Sequence, residues 1–352
     1  MIITNSLKGS HGVRVNNSYQ MNVDFELNLA DNSFVDNPKK KLIREEFEYL
    51  VWWLGHSQLH SKKYYSSEYF EYLNQFKLHS QQLFDQSFLP FWAKDPRNNK
   101  QRILNSKRHN SKLLNQLNIN PRPFLVPTSM HELDQFEAPM WIRDEFSFSG
   151  SGTLAIREKS DLLYFKTKLR NKLEKIVIAP LLKPQEEFGV LVDLNGNYTI
   201  HRNIIDHAGQ YKGSAFEYDF EASFSIDIHN KINQIITAYH PLSFDNWGID
   251  FFRDANQNYH FCEMNHRKTM GLMGRLLWQK YFSDAKCFAL FLLPQRTLNF
   301  VHDLQHLQKK ISLSQVTIFS PLGNQYLLYG IYGSSLEQLL SLNEELKARI
   351  LT

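Results

Sequence analysis

The stretch Trp247–Asn265 constrains this chain more than any other: two apolar runs, WGIDFF and YHFCEMN, enclose the polar hexapeptide RDANQN. Runs of this kind on either side of a polar turn read as an antiparallel hairpin. Residues two apart on a strand share a face, so Glu263, Asn265 and Arg267 project together if the extended backbone continues through Arg267, while Cys262 and His266 point the other way. A hairpin turning symmetrically about Asn256 and Gln257 sets Asp250 directly across from Glu263, and a one-residue slip would undo that pairing. Two opposed carboxylates repel unless something neutralises them. A divalent cation would do so, since carboxylates with an amide oxygen are hard ligands of the kind Mg²⁺ accepts. A solvated polar strand face is the other reading.

Further along the chain, short strands and helices alternate. APMWIRD and TLAIRE flank EFSFSGSG, KIVIAPLL is a buried-type strand, and FGVLVDL and YTIHRNII enclose Asn195-Gly196, a strong hairpin signal. Helical spacing marks YYSSEYFEYLNQFKLHSQQLF, NSKRHNSKLLNQLNI, SDLLYFKTKLRNKLEK and HNKINQIITAYH. MNVDFELNLA alternates like an edge strand, and EYLVWWLG reads as a strand or a buried helix segment. From Met270 the order is helix, helix, the strands VTIFSPL and QYLLYGIYG, and a final helix ending near Ile350. The fold class is therefore α/β shading into α+β.

At 352 residues with 42% apolar and 14% aromatic side chains, the chain can bury a core larger than one average domain provides. The composition shift at FWAKDPRNNKQ suggests a boundary, giving an N-terminal α/β region over 1–98, a core over 99–295 and a C-terminal α/β segment over 296–352. A net charge of +4, from forty basic and thirty-six acidic residues, with Lys39 to Lys41 the only basic run, makes a nucleic-acid partner an unfavoured expectation. No apolar stretch approaches the roughly eighteen residues of a membrane helix, and the N-terminus does not read as a secretory signal. Cys262 and Cys287 lack metal-type spacing and suggest free thiols in a reducing compartment, so the expected location is cytoplasmic.

The loop WIRDEFSFSGSGTLAI places Ser149, Gly150, Ser151 and Gly152 between two strands, where backbone N–H groups can approach an anion. An ordinary hairpin tip has the same composition, and neither GxxxxGK[ST] nor GxGxxG is present. Arg143 ends the preceding strand and can bring a fixed positive charge to that loop.

In this order, from about Ile103 to Arg275, these pieces resemble the ATP-grasp family of carboxylate–amine ligases. EMNHR, preceded by GIDFF, is similar to that family's acidic-x-Asn-x-Arg ending. WIRDEFSFSGSG is similar to its phosphate-binding strand and mobile glycine-rich loop (145–152), and IAPLLKPQEEFGV to its adenine hinge and ribose-binding acid. The resemblance implies an ATP-grasp fold, two α+β subdomains gripping ATP, with a pre-ATP-grasp-like N-terminal region. It implies ATP and Mg²⁺, with Mn²⁺ as a substitute, as cofactors, and Asp250, Glu263 and Asn265 in the metal hairpin 246–267 as metal ligands. Arg267 and Arg143 would then be catalytic, with Arg143 standing where a lysine is usual. Lys107, Arg143, Ser149, Gly150, Ser151 and Gly152 would hold phosphates, the backbone at Ala179 to Leu181 would meet adenine, and Glu187 would hold the ribose. His201, Arg202, Lys212 and His266 are candidate contacts for a small-molecule carboxylate or amine. The implied activity is ATP-dependent, ADP-forming amide or peptide-type bond formation through an acyl phosphate. A non-catalytic ATP-binding module and a nucleic-acid-binding protein are the alternatives.

Overall fold

A computed structural model describes residues 19–31, 38–61, 63, 65–78, 80–83, 89–134, 138–147, 152–206, 209–239, 242, 245–294, 314–321 and 324–351. Near the N-terminus, β1 (Tyr19–Gln20), β2 (Gln58–His60), β3 (Gln81–Leu83) and β4 (Leu89–Pro90) form a small parallel sheet in the order β3-β2-β1-β4. The run expected as an edge strand is instead the helix Phe25–Asp31. The same apolar residues serve a helix, since Phe25 and Leu29, one helical turn apart, are both buried, and Asn22 O and Asp24 O accept the N–H groups of Phe25 and Asn28.

Aromatic residues of this N-terminal region form core, as their helical spacing suggests. EYLVWWLG resolves as the short helix Leu50–Trp53, all four residues buried, followed by the helix Ser67–Gln75 capped by Ser66. Trp53 Nε1 donates to Phe319 O at 2.8 Å and Tyr72 OH to Ile318 O at 2.8 Å, tying the region to the C-terminal part of the chain. Cutting Trp53 back to alanine would cost about 3–5 kcal/mol by the usual penalty for a buried aromatic.

Next come β5 (Met140–Asp144), β6 (Thr153–Ile156) and β7 (Ile176–Pro180), an antiparallel sheet in the order β6-β5-β7 with its own small core around Met140, Ile142, Ile156 and Ile178. The large sheet holds β8 (Pro184–Val192), β9 (Tyr198–Ile205), β10 (Tyr211–Glu217), β11 (Trp247–Asp254), β12 (Tyr259–Asn265), β13 (Cys287–Pro294), β14 (Val316–Ile318) and β15 (Tyr326–Gly333). It is antiparallel throughout, ordered β12-β11-β8-β9-β10-β13-β15-β14, so the C-terminal strands extend it.

β13 is the main element that the sequence reading missed. CFALFLLP is nearly all buried, and a short continuous apolar run has no period to distinguish a strand from a helix. At the other end of the sheet, Phe188, Val190, Ile249, Phe251, Phe261 and Met264 pack as one core with the helices Lys107–Gln116 and Ile226–Tyr239. The opposite face there carries Glu187, Gly189, Asp250, Glu263 and Asn265. This alternation of faces sets up the candidate site.

Candidate active site

Asp250 and Glu263 are register partners on β11 and β12. The pairing comes about differently from the symmetric hairpin that the sequence suggests. Asp254 N donates to Asn258 O at 2.9 Å, and Asp254 Oδ1 accepts from the N–H groups of Asn256 and Asn258, so the turn centres on Asn256. Continued along the ladder, that turn would set Asp250 opposite Cys262. A β-bulge between the Asp250 and Phe251 pairs absorbs one residue and restores the Glu263 partnership. It also resets the alternation, which is why Phe261 and Met264, three apart, share one core while Glu263 and Asn265 lie on the other face. The open edge of β12 is satisfied by side chains: Asn120 accepts from Phe261 N at 2.7 Å and donates to Phe261 O at 2.9 Å, and Asn110 donates to Met264 O.

Two cations converge on Glu263. Lys107 Nζ lies 2.9 Å from Oε1 and Arg143 Nη2 2.8 Å from Oε2. Lys107 is delivered by the start of its helix, where Ser106 caps His109 N at 3.1 Å and its hydroxyl donates to Glu145. Lys107 N bonds Glu145 O, and Nζ also reaches Ser147 O at 3.4 Å, so the helix start is tied to the base of the glycine loop. Arg143, on β5, uses its fork: Nη1 reaches the bulged Cys262 O at 3.5 Å while Nη2 holds the carboxylate.

The two carboxylates differ electrostatically. Burial opposes ionisation of Glu263, but Lys107 and Arg143 overcome it and hold the pKa down to about 2. For Asp250, burial and then the charge of Glu263 push it up to about 6, and its closest partner is the Asn265 amide, whose Nδ2 donates at 2.6 Å. Burial and the charge of Asp250 also raise Glu187 to about 7.

Arg267 lies beyond the end of β12, which stops at Asn265, so the extended backbone does not carry it. Its guanidinium nonetheless bonds Glu26 and lies close enough to the acidic strand to feel its charge: Glu26, Glu263 and Asp250 raise its pKa against the effect of burial. Gly152 has a φ of +73°, and a Cβ there would meet Asp144 Oδ2 at 2.6 Å, so the end of the loop requires glycine. Ser149, Gly150 and Ser151 lie outside the described residues.

Ala179 pairs with Trp141 in the β5–β7 ladder. Leu181 N–H already donates to Pro139 O at 3.1 Å, which removes it as a donor to an adenine edge. Glu187 shares the site face.

The four candidate substrate contacts do not converge. His201 is buried, stacked on Phe216 and pressed so closely by Gly189 and Gly271 that a Cβ on either would clash with its ring. Arg202, the next residue along β9, faces the other side of the sheet, where it pairs with Glu186 and lies over Phe188 and Phe220. His266 is buried and stacks on Trp247 at 4.7 Å. Lys212 pairs with Asp206 at 3.1 Å at the β9–β10 turn. Packing thus buries His201 and His266, and the alternation of β9 turns Arg202 to the sheet face opposite Asp250. Alternation along β9 was the available signal, since neighbours in a strand cannot face one pocket.

Among the described residues no group of three His, Cys, Asp or Glu side chains gathers as a metal cage. The donor set does fit a hard cation: two opposed carboxylates, one of them with its pKa pushed up to about 6 by burial and by the charge of the other, beside an amide oxygen that is free of hydrogen bonds within the described residues. The residue that sequence reasoning missed is Glu26. Its carboxylate Oε1 accepts from Arg267 Nε at 2.9 Å and also from Nη2. No local pattern connects positions 241 residues apart.

No protein-family model matches the sequence, and no curated protein matches it either. Solved structures do match. N5-carboxyaminoimidazole synthetase from Staphylococcus aureus, complexed with ADP, aligns with a TM-score of 0.53 at 13% identity over 70% of this chain and 72% of that one. Biotin carboxylase from Campylobacter jejuni aligns at 0.52 with 9% identity over 83% and 77%, and L-amino acid ligase from Bacillus licheniformis at 0.50 with 12% identity over 80% and 82%. Identities this low establish architecture, and the architecture is the one that the hairpin and the glycine loop led us to expect: this chain has the ATP-grasp fold.

Proposed function

We propose that this chain is an ATP-dependent, ADP-forming ligase that joins a small-molecule carboxylate to an amine through an acyl phosphate. One observation carries the reading: Asp250, Glu263 and Asn265 share a sheet face opposite Lys107 and Arg143, with Arg267 alongside. Support also comes from similar structures described as complexes with ADP, and one with MgADP and bicarbonate.

In the proposed reaction a carboxylate oxygen of the substrate attacks the γ-phosphorus, the bond to the β-phosphate oxygen breaks, and ADP leaves. The amine then attacks the acyl carbon, loses a proton, and expels inorganic phosphate. Mg²⁺, when bound, would supply Lewis-acid neutralisation of the phosphate oxygens. Asp250, Glu263 and Asn265 would hold it, and Mn²⁺ could take its place. Lys107 and Arg143, released from Glu263, can turn their donors toward phosphate, and Arg267 can stabilise the charge on the transferred group. Glu187, half-buried on the same sheet face as Asp250, would accept from a ribose hydroxyl. The glycine loop, anchored through Glu145 and Ser147 to the start of the Lys107 helix, would keep water from the acyl phosphate. No side-chain nucleophile is required.

The test is an ADP-release screen over amino acids and other small carboxylates with varied amines. The proposal expects ADP and phosphate only when a productive pair is present, and none from Glu263→Gln. Nucleotide binding without ADP release from any pair would favour a binding module, and an unaffected Glu263→Gln would remove the site assignment.

A further inference from the structure

The N-terminal region reaches into the proposed site at one point. Glu26, on the helix Phe25–Asp31, is buried, and Oε1 accepts from both Nε and Nη2 of Arg267, whose own side chain is 15% exposed. The third bond from Arg267 runs from Nη1 to Lys268 O at 3.1 Å. Of the five guanidinium N–H groups, two remain for a ligand.

The helix that carries Glu26 is itself fixed. Asn22 Oδ1 accepts from Trp92 N at 2.7 Å and Ala93 N at 3.2 Å, Asn22 Nδ2 donates to Ala93 O at 2.7 Å, and Asn22 O takes the Phe25 N–H. The Trp92 carbonyl, in turn, accepts from Lys268 N at 2.9 Å, and Lys268 Nζ lies over the Phe91 ring and pairs with Asp245. Asn22, Glu26 and the Phe91–Ala93 segment thus form one unit that grips Arg267 and Lys268, the second and third residues beyond the acidic strand.

We propose that Glu26 is a positioning residue: it fixes the Arg267 guanidinium with its two free N–H groups directed at the transferred phosphoryl group, so that the N-terminal region completes the phosphoryl-transfer machinery. The inference rests on the ligase reading above. A free arginine has several rotamers, and its electrostatic contribution in a reaction depends on being oriented beforehand. A carboxylate that occupies one edge of the fork leaves the other edge presented.

The test compares wild type with Glu26→Gln, Glu26→Ala and Arg267→Ala in calorimetric titrations with Mg–ATP and Mg–ADP. Glu26→Ala should weaken Mg–ATP by roughly tenfold and leave Mg–ADP within about twofold, matching Arg267→Ala, because only the terminal phosphoryl group is addressed. Glu26→Gln, which keeps an acceptor oxygen without the charge, should lie between. Equal weakening of both nucleotides would mean a merely structural role, and no change in either would also overturn the proposal. If wild type binds neither nucleotide, the ligase reading fails on its own. Phenylglyoxal modification of Arg267, mapped by mass spectrometry, then decides about Glu26: a rate several-fold faster in Glu26→Ala supports the positioning role, and an unchanged rate refutes it.

Discussion

Glu263 has two tasks in this account, and replacing it tests both. In the free protein its carboxylate is the counter-ion of Lys107, whose side chain is 6% exposed, and of Arg143, 22% exposed. Glu263→Gln keeps the shape and leaves the two cations facing a neutral amide. Removing one partner of a fully buried pair costs about 3–5 kcal/mol, whereas a surface pair is worth about 0–1. A carboxylate held at about 2 instead of 4.5 is stabilised in its charged form by roughly 3 kcal/mol, and its 18% exposure keeps that figure near the buried limit. We therefore expect Glu263→Gln to lose about 2–4 kcal/mol in urea unfolding at pH 7.

The sign with pH follows from the same shift. A depressed folded-state pKa means that the contribution is complete above pH 4.5 and disappears as pH falls toward 2, so wild type and variant should converge in acid. Lys107→Met combined with Glu263→Gln removes a charge of each sign, and its loss should fall short of the two single losses together by about 1–3 kcal/mol. A Glu263→Gln protein within about 0.5 kcal/mol of wild type, or strictly additive single losses, would refute the triad as drawn.

Two further outcomes follow. His201 and His266 are both held neutral by burial, each with its pKa lowered from 6.5 to about 3, so the folded protein takes up fewer protons than the unfolded chain below pH 6.5. Stability should decline as pH falls from 6.5 toward 3, and in proton NMR neither ring should titrate near 6.5; a midpoint there for either would contradict its placement. Gly189→Ala would bring a Cβ to within 2.3 Å of the His201 ring, which Gly271 blocks on its other approach, and should cost about 1–3 kcal/mol in urea unfolding. An unchanged midpoint would show that the ring has room to move.

The chain's residues disclose the site unevenly. The Asp250–Glu263 pairing could be read because the spacing about RDANQN nearly centres on it, yet the agreement depends on a bulge at Cys262 that no residue type announces. The helix that carries Lys107 was legible from the spacing of NSKRHNSKLLNQLNI, and its cap by Ser106 is a local bond between near neighbours that the reading did not single out. β13 was not, because a strand buried on both faces has lost the alternation that identifies strands. MNVDFELNLA misled for the opposite reason: its alternation is real, but Phe25 and Leu29 also sit one helical turn apart, and contacts to Trp92 and Ala93 favour the helical alternative. The Glu26–Arg267 pair is a tertiary contact, set by how the N-terminal unit docks.

The central claim is that the opposed carboxylates, with the Asn265 amide, hold a divalent cation against a nucleotide. Electron paramagnetic resonance of Mn²⁺ titrated into the protein with ADP addresses it directly. Wild type should take Mn²⁺ out of the free hexaaqua signal, and Asp250→Asn and Glu263→Gln should each leave that signal near its protein-free intensity. Binding by both variants equal to that of wild type would place the cation elsewhere, and no binding by wild type would leave the carboxylate pair without the role assigned to it.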